Sequence, residues 1–137
     1  MMNRKPRIGV FGLGRGTSLL DKVNMCGGEL VAVCDRATWK FEKIAEHMAP
    51  TGGFYEDFDE FIKQDFDGVI LANYFTEHAE YAVKAMKAGK AVLSECTPAA
   101  TMADCVRLVR TAEETGMIYM LAENYPYAAS SQEMRRV

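Results

Sequence analysis

The sequence predicts an α/β fold in which helices cover both faces of a doubly wound parallel sheet. Six short apolar segments alternate with five stretches of helical periodicity along 137 residues. The apolar segments are continuous rather than alternating, which is typical of strands buried on both faces. Right-handed crossovers between parallel strands place the intervening helices on both sides of such a sheet. A chain of this length can bury one core, so we expect one main folded unit.

The elements follow one another in a regular order. The predicted strands are 8–11, 30–34, 53–55, 69–72, 91–93 and 117–121. The predicted helices begin after the glycines at 12–16, at the capping side chains of Thr38, Thr76 and Thr101, and at Asp57. Gly89 and Gly116 end the last two of these helices. We expect Trp39 and Phe41 to pack the second helix, and Val109 to face inward from the fifth.

A glycine-rich turn after the first strand carries the clearest functional signal. It consists of Gly12, Leu13, Gly14, Arg15, Gly16 and Thr17. A turn of this kind between a strand and a helix lets backbone amides approach a pyrophosphate. Asp35 ends the second strand about twenty residues beyond the glycines, where a carboxylate accepts hydrogen bonds from an adenosine ribose. Together these features predict a Rossmann-type domain that binds a dinucleotide.

The charged residues of this region bear on the choice of cofactor. Asp35 favours NAD, because its charge repels the 2′-phosphate of NADP. Arg36 has the opposite effect, since a guanidinium can bind that phosphate or stack on adenine. Arg15 lies either in contact with the pyrophosphate or on the surface beside it. We therefore expect NAD, with NADP as the less favoured alternative.

Bulk properties exclude several other classes of protein. The formal charge of −3 argues against a nucleic-acid or anionic membrane surface. No apolar run approaches the roughly 20 residues of a membrane span, and the basic N-terminus lacks the pattern of a secretory signal. The four cysteines show no metal-type spacing and suit a reduced compartment. We expect a cytoplasmic protein without a metal site, whose partner is a small-molecule substrate.

The order of the motifs resembles the N-terminal half of the glucose-fructose oxidoreductase, inositol dehydrogenase and rhizopine-catabolism (Gfo/Idh/MocA) family. The likeness covers essentially the whole chain, and the segment 85–95, which ends in Gly-Lys-Ala-Val-Leu-Ser-Glu, is its most specific part. The resemblance implies a Rossmann domain followed by a C-terminal α/β domain that holds much of the substrate site. We therefore expect 1–122 to form the cofactor domain, and 123–137 to begin a truncated connection to a domain absent from this sequence.

The resemblance also implies cofactor-site residues beyond the turn. His78 opens the helix after the fourth strand and is either a half-exposed polar residue or part of the cofactor pocket. Asn73 and Tyr74 precede it where the family usually has Thr-Pro-Asn. Glu95 ends the fifth strand, where it lies near the nicotinamide or caps a backbone amide. Asn124 follows the sixth strand and contacts nicotinamide or substrate, or ties down the chain.

Two further departures from the family pattern affect the expected chemistry. Gly16 comes one residue early, and Thr17 stands where the third glycine of the fingerprint is expected. The family motif Glu-Lys-Pro is replaced by Glu95-Cys96-Thr97-Pro98, so the family lysine that positions substrate and transfers protons does not carry over. Cysteine lacks the reach and charge of lysine. Cys96 is a candidate nucleophile only if a cation or helix end lowers its pKa.

Three functions remain open on these grounds. The leading one is the NAD(P)-binding domain of an oxidoreductase that transfers a hydride to or from a sugar, polyol or related metabolite. The alternatives are an NAD-dependent glycoside hydrolase or lyase without net redox, and a non-catalytic nucleotide-binding regulator. Fold and cofactor do not choose among them. We identify no catalytic residue, expect no turnover from these 137 residues alone, and leave a homo-oligomer open.

Overall fold

The computed structural model describes residues 4–136 and places six strands in one parallel sheet. The strands are β1 (Arg7–Phe11), β2 (Glu29–Cys34), β3 (Gly53–Tyr55), β4 (Gly68–Leu71), β5 (Ala91–Ser94) and β6 (Tyr119–Leu121). Their spatial order is β3-β2-β1-β4-β5-β6, and every neighbouring pair is parallel. The doubly wound sheet predicted from the sequence is therefore confirmed. Strands β2 and β3 are added on one side of β1, whereas β4, β5 and β6 are added on the other side, so the strand order reverses between β1 and β4.

Six helices connect or follow the strands. They are α1 (Thr17–Met25), α2 (Lys40–Ala45), α3 (Phe58–Phe61), α4 (His78–Lys87), α5 (Met102–Thr115) and α6 (Ala129–Met134). Short 3-10 turns precede α4 at Phe75–Glu77 and α6 at Tyr125–Tyr127. None of the helices in the described part of the chain has the length and apolarity needed to cross a bilayer.

One of the three predicted side-chain caps is present. Thr101 accepts a hydrogen bond from the Asp104 amide at 3.1 Å. Asp57, predicted only as the start of a helix, also caps α3, because its side chain accepts a hydrogen bond from the Glu60 amide at 2.9 Å. The predictions for Thr38 and Thr76 are wrong, because α2 and α4 have no side-chain cap. Thr76 lies inside the 3-10 turn that leads into α4, one residue before the capping position at Glu77.

Both faces of the sheet are buried, as continuous apolar strands require. Val10 and Phe11 are neighbours on β1 and belong to separate clusters, because successive side chains of a strand point to opposite faces. Phe11 packs with Phe58 at a ring-centroid distance of 4.9 Å. Burial of each large apolar side chain stabilises the fold by about 1.5–3 kcal/mol. This packing holds the carboxyl edge of the sheet rigid.

Two predicted packing positions are wrong. Trp39 is 77% exposed, whereas Phe41 is partly buried, stacks on Phe54 at 5.0 Å and packs against the core. Trp39 precedes α2 and lies outside the face that turns toward the sheet. Val109 is 58% exposed because the adjacent Leu108 takes the inward position. Neighbouring helical residues are separated by about 100°, so only one of them can face the sheet.

The glycine turn is held by two very close approaches. Gly12 has φ +96°, and a Cβ there would overlap the backbone of Ala72 and Asn73 at the end of β4. A Cβ on Gly16 would overlap the carbonyl oxygen of Gly12. Gly16 thus lets α1 start directly against the turn, although it stands one residue earlier than the usual third glycine.

We expect Gly16→Ala to destabilise the fold by more than about 3 kcal/mol, because backbone must move to admit the methyl group. Gly14→Ala is the matched control, since a Cβ there meets nothing within 4 Å. Its free energy of unfolding should change by less than about 1 kcal/mol. Urea denaturation followed by circular dichroism measures both. Equal stabilities of the two variants would contradict this account of the turn.

Candidate functional site

A cleft of about 300 Å³ opens at the carboxyl ends of β1, β2 and β4. This is the point where the strand order reverses, and open α/β sheets bind their ligands there. The residues that line the cleft come from the glycine turn, the end of β2 and the segment after β4: Phe11, Gly12, Gly14, Asp35, Arg36, Lys40, Ala72, Asn73, Tyr74 and Glu77. The structure thus brings six of the predicted site residues to one cleft.

Asp35 is the central charged group of this cleft. Its side chain is almost buried and accepts hydrogen bonds from the amides of Leu13 and Ala37 and from the Lys40 ammonium at 3.1 Å. Burial by itself raises the pKa of this carboxyl, but the two amides and Lys40 together hold its pKa below the ordinary 3.8. Asp35 is therefore anionic at neutral pH and fixes the glycine turn to the end of β2.

Two cations flank Asp35. Lys40, at the start of α2, pairs directly with its carboxylate. Arg36 is exposed and donates to Glu77 at 3.1 Å and to the Tyr81 hydroxyl at 2.6 Å. Sequence reasoning considered Arg36 and missed Lys40. The signal for Lys40 was its place in the first turn of a helix that starts beside a strand-ending carboxylate.

The glycine turn leaves room for a ligand at one position. Gly14 is exposed and lines the cleft, and its φ is not positive. A Cβ added to Gly14 would have no other atom within 4 Å. Neither packing nor backbone conformation therefore requires glycine there. On another wall, the Asn73 Oδ1 atom is buried without a hydrogen-bond partner among the described residues. An open cradle and a spare acceptor fit an extended ligand that carries phosphate, hydroxyl and amide groups.

Thr17 has a local role within the described chain. Its hydroxyl donates to the Leu13 carbonyl at 2.6 Å and so closes the turn from the α1 side. Ser18 donates likewise to the Arg15 carbonyl at 2.9 Å. These two hydrogen bonds hold the glycine turn against the first turn of α1.

His78 lies beneath the site rather than in it. Its ring is 1% exposed, with Nδ1 2.8 Å from the Thr97 carbonyl oxygen and Nε2 3.2 Å from the Asn73 carbonyl oxygen. The expectation of a half-exposed residue is therefore wrong, and a contact of His78 with the cofactor stays a prediction. Its position ties the loop after β4 to the loop after β5, which sets the wall that Asn73 forms.

A second cleft of about 710 Å³ lies further along the same edge, at the ends of β5 and β6. Its lining residues are Arg15, Glu95, Cys96, Ala122, Glu123, Asn124, Tyr125, Tyr127 and Ala128. The Glu95 carboxylate lies 3.1 Å from the Arg15 guanidinium. Because Gly14 lines the first cleft and Arg15 the second, the glycine turn stands between two adjoining recesses. Sequence reasoning placed Glu95 and Asn124 here and missed Glu123 and Tyr127.

The Cys96 thiol is not set up as a nucleophile. It donates a hydrogen bond to the Glu123 carboxylate at 3.2 Å, and this bond raises the pKa of the thiol above its ordinary 9.0. The Tyr125 amide holds the other oxygen of Glu123 at 2.8 Å. Among residues 4–136, no group of three or more metal-ligating side chains is placed to hold an ion.

Comparisons with known proteins concern the family and the fold of this chain. The Gfo/Idh/MocA family model, described as an oxidoreductase family with an NAD-binding Rossmann fold, matches residues 6–123. A protein of Solibacter usitatus named glycosyl hydrolase family 109 protein is 33% identical over 91% of this chain and 32% of its own length. The chain thus spans about a third of that relative.

Solved structures share the fold. The WlbA dehydrogenase from Bordetella pertussis, in complex with NADH and UDP-GlcNAcA, superposes with a TM-score of 0.86 at 22% identity, over 99% of this chain and 40% of that one. The 3-ketoreductase KijD10 from Actinomadura kijaniata, in complex with NADP and TDP-benzene, gives 0.82 at 22% identity, over 97% and 42%. At these identities the likeness concerns the fold.

The lowered pKa of Asp35 gives the stability of the protein a defined pH dependence. A carboxyl whose pKa is lower in the folded state contributes stability above its unfolded pKa, and that stability is lost as pH falls through the folded pKa. We expect the free energy of unfolding to decrease as the pH is lowered from about 4 to 3, and to decrease less steeply in Asp35→Asn. Urea denaturation between neutral pH and pH 3 measures this. Asp59→Asn serves as a control on an exposed carboxylate, and parallel curves for Asp35→Asn and the parent would contradict the assignment.

Proposed function

Because this chain belongs to the Gfo/Idh/MocA oxidoreductase family, we propose that it is the NAD-binding domain of an oxidoreductase that acts on a sugar, polyol or related metabolite. The observation that carries the proposal is the anionic Asp35, held by the Leu13 and Ala37 amides at the cleft where the sheet reverses. In Rossmann domains a carboxylate at this place receives the hydroxyls of the adenosine ribose.

The rest of the first cleft suits the adenosine and pyrophosphate. Gly14 leaves the open space through which a pyrophosphate can approach the backbone of the turn and the N-terminus of α1. Arg36 is held by Glu77 and Tyr81 and presents a planar cation beside the cleft, a suitable surface for an adenine ring. Asn73 and Tyr74 form the opposite wall.

The second cleft suits the nicotinamide end of the cofactor and part of the substrate. Glu95 and Asn124 supply an acceptor and an amide there, and His78 holds the loop beneath them through Thr97. When bound, nicotinamide supplies hydride transfer. This chain's residues orient that ring within a cleft of about 710 Å³, which the ring shares with part of the substrate.

The same proposal has consequences for the further domain, the location in the cell and the association of subunits. The substrate would bind jointly with a further domain beyond a cofactor domain formed by 1–122, with 123–137 as the start of the connection. Cysteines without a metal or disulfide arrangement suit a cytoplasmic location. Association of subunits would involve that further domain.

NAD is the preferred cofactor under this proposal. Asp35 repels a 2′-phosphate, and its carboxylate retains an acceptor position beyond its three present hydrogen bonds. Lys40 partly neutralises the charge of Asp35. If NADP binds, its 2′-phosphate would be held by the Lys40 ammonium.

We expect NAD to bind this chain more tightly than NADP in calorimetric titrations. Asp35→Asn should weaken NAD about ten-fold, because a hydrogen bond to a charged group is lost. Lys40→Met should weaken NADP more than NAD. Asp59→Asn, which changes an exposed carboxylate paired with Lys84, should alter neither affinity. Unchanged NAD binding in Asp35→Asn would overturn the placement of the ribose.

A second candidate function is an NAD-dependent glycoside hydrolase in which transient oxidation eases bond cleavage without net redox. Relatives named glycosyl hydrolase family 109 protein are 30–34% identical to this chain. Cys96 also stands where the family lysine transfers protons, and its thiol is held by Glu123. Both observations favour chemistry other than ordinary alcohol dehydrogenation.

A full-length protein that contains this domain separates the two candidates. Incubated with NAD and panels of polyols, sugars and nitrophenyl glycosides, it should form NADH in proportion to product if the leading proposal holds. Heat-inactivated protein is the control. Release of nitrophenol without net NADH would instead select the hydrolase.

A further inference from the structure

One ion pair crosses the line along which an extended dinucleotide would lie. Arg15 belongs to the glycine turn after β1, and Glu95 follows β5. In the sheet β4 lies between those two strands, so the 3.1 Å contact between Arg15 Nε and Glu95 Oε1 passes over the carboxyl end of β4. It stands where the first cleft meets the second.

The two partners of this pair are unequally exposed. The Arg15 side chain is 54% exposed, whereas that of Glu95 is 16% exposed. A pair with so exposed an arginine contributes little free energy in water. The guanidinium is therefore held in place by an interaction that a stronger anion can displace.

A pyrophosphate is such an anion. It carries more charge than a carboxylate and can accept the arginine fork in a bidentate manner. A dinucleotide that reaches from Asp35 into the second cleft brings its pyrophosphate along the glycine turn, next to Arg15. The phosphate and Glu95 then compete for one guanidinium.

We propose that Glu95 is a built-in competitor for the diphosphate, and that Arg15 is the residue that selects dinucleotides over mononucleotides. In the free protein Glu95 holds Arg15. On binding, Arg15 exchanges this carboxylate for the pyrophosphate, and the released Glu95 faces the second cleft as a free acceptor. This inference rests on the dinucleotide proposed above.

The other charged group of the second cleft does not take part in the exchange. Glu123 has its two oxygens occupied by the Cys96 thiol and the Tyr125 amide. Arg15 supplies the positive charge among the residues that line this cleft. The competition therefore involves one cation and one carboxylate, which a double-mutant cycle can isolate.

The experiment titrates NAD and adenosine monophosphate into the chain, followed by NMR chemical shifts. Glu95→Gln should bind NAD about three-fold more tightly and the monophosphate unchanged, since a surface ion pair no longer competes. Arg15→Gln should weaken NAD about ten-fold, through loss of a charge-assisted phosphate contact, and leave the monophosphate almost unchanged. The double variant should match Arg15→Gln alone.

Glu60→Gln is the matched control, because it makes the same change of net charge in an exposed pair with Lys63. Its affinities should equal those of the parent. Two outcomes would overturn the proposed exchange at Arg15 while leaving the proposed function intact. One is a higher affinity for NAD in Glu95→Gln that remains when Arg15 is also replaced. The other is an equal rise in the affinity for adenosine monophosphate. Arg15→Gln gives an independent readout, since equal affinities of NAD for this variant and the parent would also overturn it. Absence of binding of either nucleotide to the parent chain would overturn the proposed function together with this inference.

Discussion

The carboxylate of Asp35 is the interaction on which the site depends. It joins three separate pieces of backbone and side chain: the Leu13 amide of the glycine turn, the Ala37 amide beyond β2, and the Lys40 ammonium at the start of α2. Burial of a charge is costly unless hydrogen bonds compensate for it, and here they do so well enough to lower the pKa. The geometry of the turn and the charge of the cleft therefore have one common origin.

The close packing of the glycine turn explains why this carboxylate can act on it. Gly12 approaches the backbone after β4, and Gly16 approaches the carbonyl of Gly12, so the turn is pressed against the edge of the sheet. Gly14 has no such neighbour. The three glycines thus divide into two that serve the fold and one that leaves space for a ligand. His78 supports the next loop from below by bonds to two carbonyls.

Charge is arranged unevenly along the edge that these residues form. At one end Asp35 pairs with Lys40, and at the other Arg15 pairs with Glu95, with Glu123 lining the same cleft. Cys96 stands where the resemblance places a lysine, and its thiol donates to Glu123 in the second cleft. The replacement of lysine by cysteine does not alter the Rossmann fold, because function in such proteins depends on the side chains placed along the edge of the sheet.

The sequence by itself determined the sheet, the order of its helices and the position of the cleft, because strand burial, glycine spacing and a strand-ending acid are local patterns. It also placed Asp35 and Arg36 together, with Glu95 and Asn124 further along the same edge, and the structure added Asn73 and Tyr74 to the cleft of Asp35. Only the tertiary structure decided what each side chain touches. It buried His78, exposed Trp39, paired Lys40 with Asp35, and set Arg15 against Glu95, 80 residues along the chain. Pairings between distant segments depend on how strands are ordered in space, which no local pattern encodes.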